Sequence, residues 1–495
     1  MQNFREIIYN NATLKPMIVD GACELVQADR TGQELDTSTF RQAINMFHDL
    51  ATYTNSFEPR LGAVSQKYIM EWADAAVVEK KLPEYIRASE ALMSKEMERC
   101  EAFGLDSSTR RDLLALLEDH LVQRKLDYLV STPDVGALLD ANSVHDLERL
   151  FSLLQKKRLA EKLKDPFVKW VEETGTSIIF DDKAADDMVV RLLSLKRRLD
   201  NIWNTSFHRN LLLGHGLREA FEVFINKTKK GQSTWGTDNS KTGEMIAKYV
   251  DLLLKGGSKV IPTELVVSKP GAAEQDDEED RAVDEDTEVN AQLDQVLDLF
   301  RFIHGKAVFE AFYKKDLAKR LLMGRSASAD AERNMLSRLK TECGAGFTQN
   351  LEQMFKDIEL GREEMSSYKD RLDTMEHKPG ALDLTVNVLS AAAWPTYPEV
   401  PVVIPAHVKI ATEEFEKHYK SKHSGRRLTW KHALANCQVK AVFPKGNKEM
   451  IVSSFQAIIL LLFNGLAEGE QLTYDLIKTE SGLRKWCPLR NSYPC

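Results

Sequence analysis

The feature that most constrains this chain is the amphipathic periodicity that fills roughly its first 230 residues. Apolar residues recur there three, four or seven positions apart, as in the set Leu113, Leu114, Leu117, Leu121 and Tyr128. This spacing places them on one face of a helix. A second stripe of this kind follows over residues 147–154, and alternating apolar and polar residues are scarce in this half. The sequence therefore predicts that the N-terminal half is helical.

Two segments of this half match the Ser/Thr–x–x–acid pattern of a capped helix start, Thr109–Asp112 and Ser143–Asp146. The half also divides into two blocks of similar size, residues 1–105 and 106–228. Each block has about the length of one helical bundle, and stacked bundles bury successive faces against one another. We therefore expect two stacked helical repeats.

Residues 229–290 differ in composition from both flanks. Gly and Pro accumulate first, and an acidic tract over 274–288 then holds ten acidic residues and one basic residue. The tract has a net charge of −9. Because the whole chain has a net charge of −8, the remaining residues together carry +1. Densely packed like charges repel and bury little apolar area. We expect a flexible acidic linker over 229–290, disordered over 268–289, with a short helix over 244–254.

The C-terminal part changes from helical to mixed structure. Helical spacing over 291–380 predicts a bundle, and strict alternation over 382–388 predicts a half-buried strand. Residues 437–443 and 449–453 flank a Pro–Lys–Gly–Asn turn and predict a hairpin. We expect an α/β subdomain over 381–454, a partial winged helix over 455–483 and a divergent tail over 484–495. The predicted fold is mainly α with a small α+β unit.

Length and composition indicate a multidomain folded protein outside the membrane. The chain has 495 residues, and one core rarely grows beyond about 300. Its longest apolar run is residues 457–463, too short to span a bilayer, and no leader of the secretory type opens the chain. Six scattered cysteines favour a reducing compartment. We expect a location in the cytoplasm and nucleus.

A search for catalytic chemistry finds no supporting motif. The sequence contains no phosphate-binding glycine loop, no HExxH and no Gly–x–Ser–x–Gly. His432 and Cys437 form a lone pair without two further metal ligands nearby, and Cys343 is interpreted as a packed thiol. The sequence therefore predicts a protein without catalytic residues, metal or cofactor.

A basic segment is the stronger functional indication. Nine positive charges and no acidic residue fall within 417–448: Lys417, Lys420, Lys422, Arg426, Arg427, Lys431, Lys440, Lys445 and Lys448. Such a segment is typical of an ordinary solvated face, of a surface for acidic protein partners, or of a nucleic-acid site. Few aromatic residues interleave with the charges, which disfavours nucleic acid. All three interpretations remain open at this point.

The predicted hairpin over 437–453 is the second indication. A small sheet in a helical chain has open edges, which need protection or accept a strand from another chain. The chain's own predicted strand at 382–388 would cover one edge, and the other edge would remain open.

Several long strings in the second half resemble the cullin homology region and are most similar to the cullin-4 class. They are Phe300–Lys306 (FRFIHGK), residues 308–322 (VFEAFYKKDLAKRLL), Met354–Asp357 (MFKD), Leu384–Leu389 (LTVNVL), Trp394–Thr396 (WPT) and His423–Trp430 (HSGRRLTW). The resemblance is dense over about 293–463 and weaker over 1–230, where the chain resembles the second and third helical repeats of the cullin stalk.

The resemblance implies a non-catalytic scaffold of a multisubunit ubiquitin ligase. In this family a RING-box protein adds a strand to the cullin sheet, and a basic groove binds an acidic tail of the ubiquitin-conjugating enzyme. Carried over to this chain, strand addition falls on Cys437, Gln438, Val439, Lys440, Ala441, Val442 and Phe443. The basic groove falls on Lys422, Arg426, Arg427 and Lys431.

The chain also departs from the family pattern. The repeat that binds the substrate-receptor adaptor is expected to be missing, as is the second winged helix with its modifier-accepting lysine. We expect that this reflects a truncation or an error in the gene model. A shortened cullin that competes for the RING-box protein is an alternative function. A winged-helix nucleic-acid-binding protein is another, which the near-neutral charge outside the acidic tract disfavours.

Overall fold

The computed structural model describes residue 6 and residues 11–33, 36–227, 240–266, 278–374, 382–397, 399–443, 446–466 and 470–483. These residues form two compact units. The first takes its described residues from the chain up to Ile246, from 262–266 and from Asp294–Lys306. The second comprises Ala247–Ile261, 278–293 and the chain after Ala307.

The first unit is helical, as the sequence predicts. Its helices in chain order are α1 Leu14–Arg30, α2 Thr37–Asp49, α3 Glu58–Glu79, α4 Leu82–Phe103, α5 Ser107–Glu118, α6 Leu126–Leu129, α7 Thr132–Asp140, α8 Val144–Lys156, α9 Lys164–Ile179, α10 Met188–Thr205 and α11 Leu211–Ile225. Short π-helical turns, Tyr53–Phe57 and Asp119–Gln123, precede α3 and follow α5, and a 3₁₀ turn, Ala160–Leu163, precedes α9. The boundary between the repeats predicted at 105/106 stays a prediction.

The start of α5 differs from the expected capping box. The helix begins at Ser107 after Asp106, so Thr109 lies inside its first turn. The Thr109 hydroxyl is buried, 2.7 Å from Glu58 Oε1 and 2.8 Å from the Tyr53 hydroxyl. Tertiary partners thus replace the predicted local cap. Ser143 does precede α8, but its side chain makes no cap hydrogen bond.

The first four helices enclose a core of aromatic and aliphatic side chains. Phe47 and Phe57 stack with ring centroids 5.0 Å apart, and Phe40 lies 4.7 Å from Phe103. The cluster, called here the first-bundle core, contains Val19, Ala22, Cys23, Val26, Phe40, Ile44, Phe47, Leu50, Tyr53, Phe57, Leu61 and Phe103. Beside it, the buried Arg30 places Nη2 2.8 Å from Glu96 Oε2. Pairing offsets part of the cost of burying these two charges.

The second unit contains the remaining helices and one hairpin. In chain order these are α12 Ser240–Gly256, α13 Glu278–Phe300, α14 Lys306–Met323, α15 Ala329–Cys343, α16 Ala345–Thr374, α17 Ala406–Lys422, β1 Asn436–Phe443, β2 Gly446–Ser453, α18 Ser454–Leu462 and α19 Tyr474–Ser481. The N-terminal part of α12 and the C-terminal part of α13 belong to the first unit. Short 3₁₀ turns lie at Gly257–Val260, His432–Leu434 and Phe463–Gly465.

A buried arginine joins three helices of the second unit. Arg320 on α14 places Nε 2.6 Å from Glu332 Oε1 and Nη1 2.5 Å from Asp251 Oδ1. Its guanidinium also lies 5.5 Å from the Tyr313 ring centroid. These contacts satisfy a charge that would otherwise be costly to bury.

The prediction of a flexible linker over 229–290 is wrong where the structure describes that range. Helix α12 contains the predicted short helix 244–254 and extends it, and α13 begins at Glu278 within the range predicted to be disordered. Ile246, Val250 and Val289 are buried, and Gln292 Nε2 donates to the Tyr249 hydroxyl at 3.1 Å. Burial of these apolar faces outweighs the acidic composition. Residues 228–239 and 267–277 lie outside the described residues.

The predicted strand over 382–388 is also wrong. Within the described ranges the only sheet is the antiparallel pair β1–β2, whose register pairs Asn436 with Ser453 and Phe443 with Gly446. The hairpin and the helices α18 and α19 confirm the elements predicted after residue 437, and the mainly α fold is confirmed. Burial alternates over 384–388 as predicted, but no strand of the described residues pairs with the segment 382–388, and this difference defines the candidate site.

Candidate functional site: an open strand edge and a basic surface

Four buried side chains of α16 and α17 form what we call the aromatic cluster. They are Met365, Tyr368, Phe415 and Tyr419. The Tyr368 and Phe415 rings meet edge to face with centroids 5.2 Å apart. Helical spacing explains the arrangement, because Phe415 and Tyr419 lie four positions apart on one face of α17.

Two non-helical segments cover this cluster. Leu384, Val386 and Val388 pack on it from one segment, and Leu428 and Trp430 pack on it from the other. The alternate residues Thr385, Asn387 and Thr429 are exposed. Side chains that alternate in this way are typical of an extended strand with one face on a core.

Neither segment forms a backbone ladder with another described segment. Among the described residues, no backbone–backbone hydrogen bond joins 382–389 or 424–430 to another segment. Backbone groups at a protein surface normally find partners in a ladder, in side chains or in water. We call residues 382–389 the open segment. Its side chains follow the pattern of a strand, but its backbone has no strand partner among the described residues.

The seven residues predicted for strand addition all lie on β1. One edge of this strand pairs with β2, and among the described residues nothing pairs with the other edge. Cys437, Val439 and Ala441 are half-buried. Val442 and, on β2, Ile451 are 83% and 85% exposed. Two large apolar side chains so exposed on a short hairpin are unusual for a surface that stays in water.

The four predicted groove residues fall into two groups, two lysines with acidic partners and two exposed arginines. Lys422 Nζ lies 3.4 Å from Glu364 Oε1, and Lys431 Nζ lies 2.8 Å from Glu399 Oε1. Arg426 donates to the Tyr419 hydroxyl at 3.1 Å, and Arg427 has no ion-pair partner among the described residues. Both arginines are exposed. Acidic residues distant in sequence thus neutralise part of the segment, whereas the two arginines form no direct ion pair among the described residues.

Glu364 on α16 is a functional-site residue that sequence reasoning missed. Its carboxylate lies 3.1 Å from His418 Nε2, without hydrogen-bond geometry, and 3.4 Å from His423 Nε2. Partial burial alone would raise the pKa of Glu364, but His423, Lys422 and His418 hold it below its usual value. Burial, helped by the charge of Lys422, lowers the pKa of His418. Only the fold brings these residues together, so no local pattern signals the group.

Asp357 is the second residue that sequence reasoning did not place. Its carboxylate accepts from the Ser390 amide at 2.7 Å, the Ser390 hydroxyl at 2.9 Å and Trp394 Nε1 at 2.8 Å. A carboxylate with this many donors is a strong anchor. Asp357 and Trp394 belong to two of the strings that carry the cullin resemblance, but the sequence alone does not pair them.

The described residues show no metal-binding cluster, and three of their thiols are poorly suited to act as nucleophiles. No group of three or more His, Cys, Asp or Glu residues among them is arranged to hold a metal ion. Burial raises the pKa of the Cys23 and Cys100 thiols to about 11 each, and burial also raises that of Cys437. A raised pKa disfavours the reactive thiolate. Within the same residues, no helix is long and apolar enough to cross a bilayer.

Two family models match this chain. The one described as a cullin alpha solenoid domain matches residues 1–365, and the one described as a cullin alpha+beta domain matches residues 388–486. Together they cover most of the chain, and residues 366–387, which include most of the open segment, lie between the two matches.

The curated relatives carry the same family name. Cullin-4A of Mus musculus is 36% identical over 98% of this chain and 59% of its own length. Cullin-4 of Dictyostelium discoideum is 33% identical over 97% of this chain and 55% of its own length. Cullin-3 of the same organism is 32% identical over 97% of this chain and 59% of its own length. The chain therefore spans less than two thirds of the length of these relatives.

Proposed function

Because this chain belongs to the cullin family, we propose that it is a scaffold subunit of a cullin–RING ubiquitin ligase. In this proposal the second unit binds a RING-box protein, which recruits a ubiquitin-conjugating enzyme. The complex promotes ubiquitination of substrates and their ubiquitin-dependent degradation. The chain itself supplies no catalytic residue and takes no cofactor. We further propose that it works in the cytoplasm and nucleus.

The observation that carries the proposal is the unpaired backbone of the open segment. Its side chains Leu384, Val386 and Val388 lie on the aromatic cluster, while its backbone pairs with no other described segment. A strand from a partner would supply the missing hydrogen bonds, and alternate side chains would give specificity. The free edge of β1 offers a second place for the same kind of pairing.

The exposed arginines support a role in recruiting the conjugating enzyme. Arg426 and Arg427 carry charge that no acidic residue compensates by a direct ion pair among the described residues. Positive charge of this kind raises the rate at which an acidic partner arrives more than it raises the affinity. Catalysis would then follow from proximity, because two reactants held on one support gain effective concentration.

The direct test is to mix the purified chain with a RING-box protein loaded with its zinc ions. We expect a stable complex by size-exclusion chromatography and calorimetry. A matched control is a RING-box protein that lacks its strand-forming segment, which should bind at least about 100-fold more weakly if strand pairing supplies much of the affinity. Failure of the intact RING-box protein to bind would refute the scaffold role.

The same complex distinguishes a productive scaffold from a competitor. Added to a complete cullin–RING ligase at excess over its RING-box protein, a competitor reduces ubiquitination of the substrate. A productive scaffold bound to its own RING-box protein instead stimulates discharge of ubiquitin from the conjugating enzyme. We expect stimulation, because the proposed contacts for both partners lie in the described second unit.

A further inference from the structure

A row of three residues on α16 runs beside the open segment. Asp357, Gly361 and Met365 follow one another at four-residue spacing, which places them on one face of the helix. Met365 Sδ lies 3.2 Å from the Val386 amide nitrogen, and Asp357 Oδ2 lies 2.7 Å from that of Ser390. Between them, a Cβ on Gly361 would lie 3.8 Å from the Val388 nitrogen. The amides of 386, 388 and 390 therefore all face this row.

Four residues of the helix and two residues of the open segment span similar distances, which explains why the contact continues over three positions. Four residues of an α-helix rise about 6.0 Å. Two residues of an extended chain rise about 6.6 Å. Every fourth residue of the helix therefore lies beside every second residue of the segment. The helix and the segment run in opposite directions. A Cβ at position 361 would make an ordinary van der Waals contact with the Val388 nitrogen, so the helix and the segment lie side by side here without a requirement for glycine.

This contact determines which backbone groups remain available. In an extended chain, successive amides point to opposite edges. With the even-numbered amides directed at α16, those of Asp383, Thr385, Asn387 and Leu389 point the other way. None of these four amides has a hydrogen-bond partner among the described residues. The open segment therefore has one occupied edge and one free edge.

We propose that the row Asp357–Gly361–Met365 positions the open segment so that the edge carrying residues 383, 385, 387 and 389 accepts the partner strand. The row thereby sets the register of pairing, because a one-residue slip would present the wrong face of every side chain. This inference rests on the proposed function and adds to it the identity of the pairing edge and of the residues that select it.

Asp357 is the main positioning residue of the row. It is 6% exposed and accepts from Ser390 twice, from Trp394 and from Gln353 Nε2 at 2.8 Å. These bonds fix one end of the open segment, and the packing of Leu384 on the aromatic cluster holds the other. A segment held at both ends loses less conformational entropy when a strand is added.

Two neighbouring proline substitutions test which edge is used. Asn387→Pro removes a free-edge donor, whereas Val388→Pro removes an amide that faces Gly361 and keeps an apolar side chain. We expect Asn387→Pro to weaken binding of the RING-box protein to the full chain by about tenfold or more. Val388→Pro should stay within about threefold of wild type, as should the side-chain control Asn387→Ala. Equal losses at both positions, or a larger loss at 388, would overturn the edge assignment.

A second variant tests the anchor without altering the segment. Asp357→Asn replaces one acceptor oxygen by an NH₂ group, which cannot accept from Ser390 or Trp394. We therefore expect faster hydrogen exchange at the Ser390 amide and about tenfold weaker binding of the RING-box protein. The control Glu332→Gln disturbs the Arg320 pair in the same unit, and should lower thermal stability while leaving binding unchanged. If Asp357→Asn loses stability but binds like wild type, Asp357 is structural only. If wild type itself does not bind, the proposed function fails and the edge assignment fails with it.

Discussion

The first-bundle core and the aromatic cluster are built from similar side chains but are closed in different ways. The first-bundle core has twelve buried residues and five partly buried ones packed against it. The aromatic cluster has four buried residues and six partly buried ones. Helices surround the first, whereas the second is covered in part by two segments with unpaired backbones. The first core is therefore closed by the chain's own helices, and under the proposed function a partner strand completes the cover of the second.

The largest expected effects come from removing one ring from each core. Phe57 and Phe415 are both fully buried, so Phe57→Ala and Phe415→Ala should each cost about 3–5 kcal/mol of unfolding free energy. Only Phe415→Ala should also weaken binding of the RING-box protein, because it removes the support beneath the open segment.

Calorimetric unfolding and binding titrations at a temperature where both variants are folded measure the two effects separately. Loss of RING-box binding in Phe57→Ala, with its second unit still folded, would show that the two cores are not functionally distinct.

A smaller effect is expected from the charges of the second unit. Reversing Arg426 and Arg427 together to Glu should slow discharge of the conjugating enzyme about tenfold at low salt and about twofold or less at 0.5 M salt. The matched control reverses the exposed neighbours Arg110 and Arg111 on α5 of the first unit, with the same change in net charge. A salt-independent loss, or an equal loss in the control, would refute steering by the two arginines.

The smallest expected effect is a pH dependence of stability to which His418 of the second unit contributes. Burial lowers the pKa of His418 below its usual 6.5, with Glu364, Arg371 and Lys422 around it. Below pH 6.5 the unfolded chain therefore binds a proton that the folded chain resists, so stability falls as the pH falls through this range. Between pH 7.5 and 5.5 we expect a loss of about 2 °C in the thermal midpoint. His418→Gln should reduce this loss without abolishing it, because burial also lowers the pKa of His120 and of His432. An unchanged pH profile in that variant would contradict the assignment to His418.

The sequence predicts most of the fold because its strongest signals are local. Helical stripes, the hairpin formed by β1 and β2, and the helix that begins after Thr473 all follow from patterns among neighbouring residues. The period of two over 382–388 correctly predicts which side chains lie on the core, but it does not reveal whether a strand pairs with the segment. Pairing depends on distant residues, and Asp357, Gly361 and Met365 become informative only when α16 lies beside that segment.

The candidate site was less predictable for the same reason. The basic segment 417–448 has no acidic residue of its own, yet Glu364 and Glu399 pair with two of its lysines from elsewhere in the chain. The acidic linker shows the opposite error. There a few apolar residues such as Val289 outweigh a composition that predicts disorder.

Hydrogen exchange of the open segment, measured with and without a bound RING-box protein, tests the central claim most directly. The account predicts that binding slows exchange at Thr385 and Asn387 by at least about tenfold, while the amide of Val388, which faces Gly361, changes much less. A tight complex in which the exchange of Thr385 and Asn387 is unchanged would contradict it.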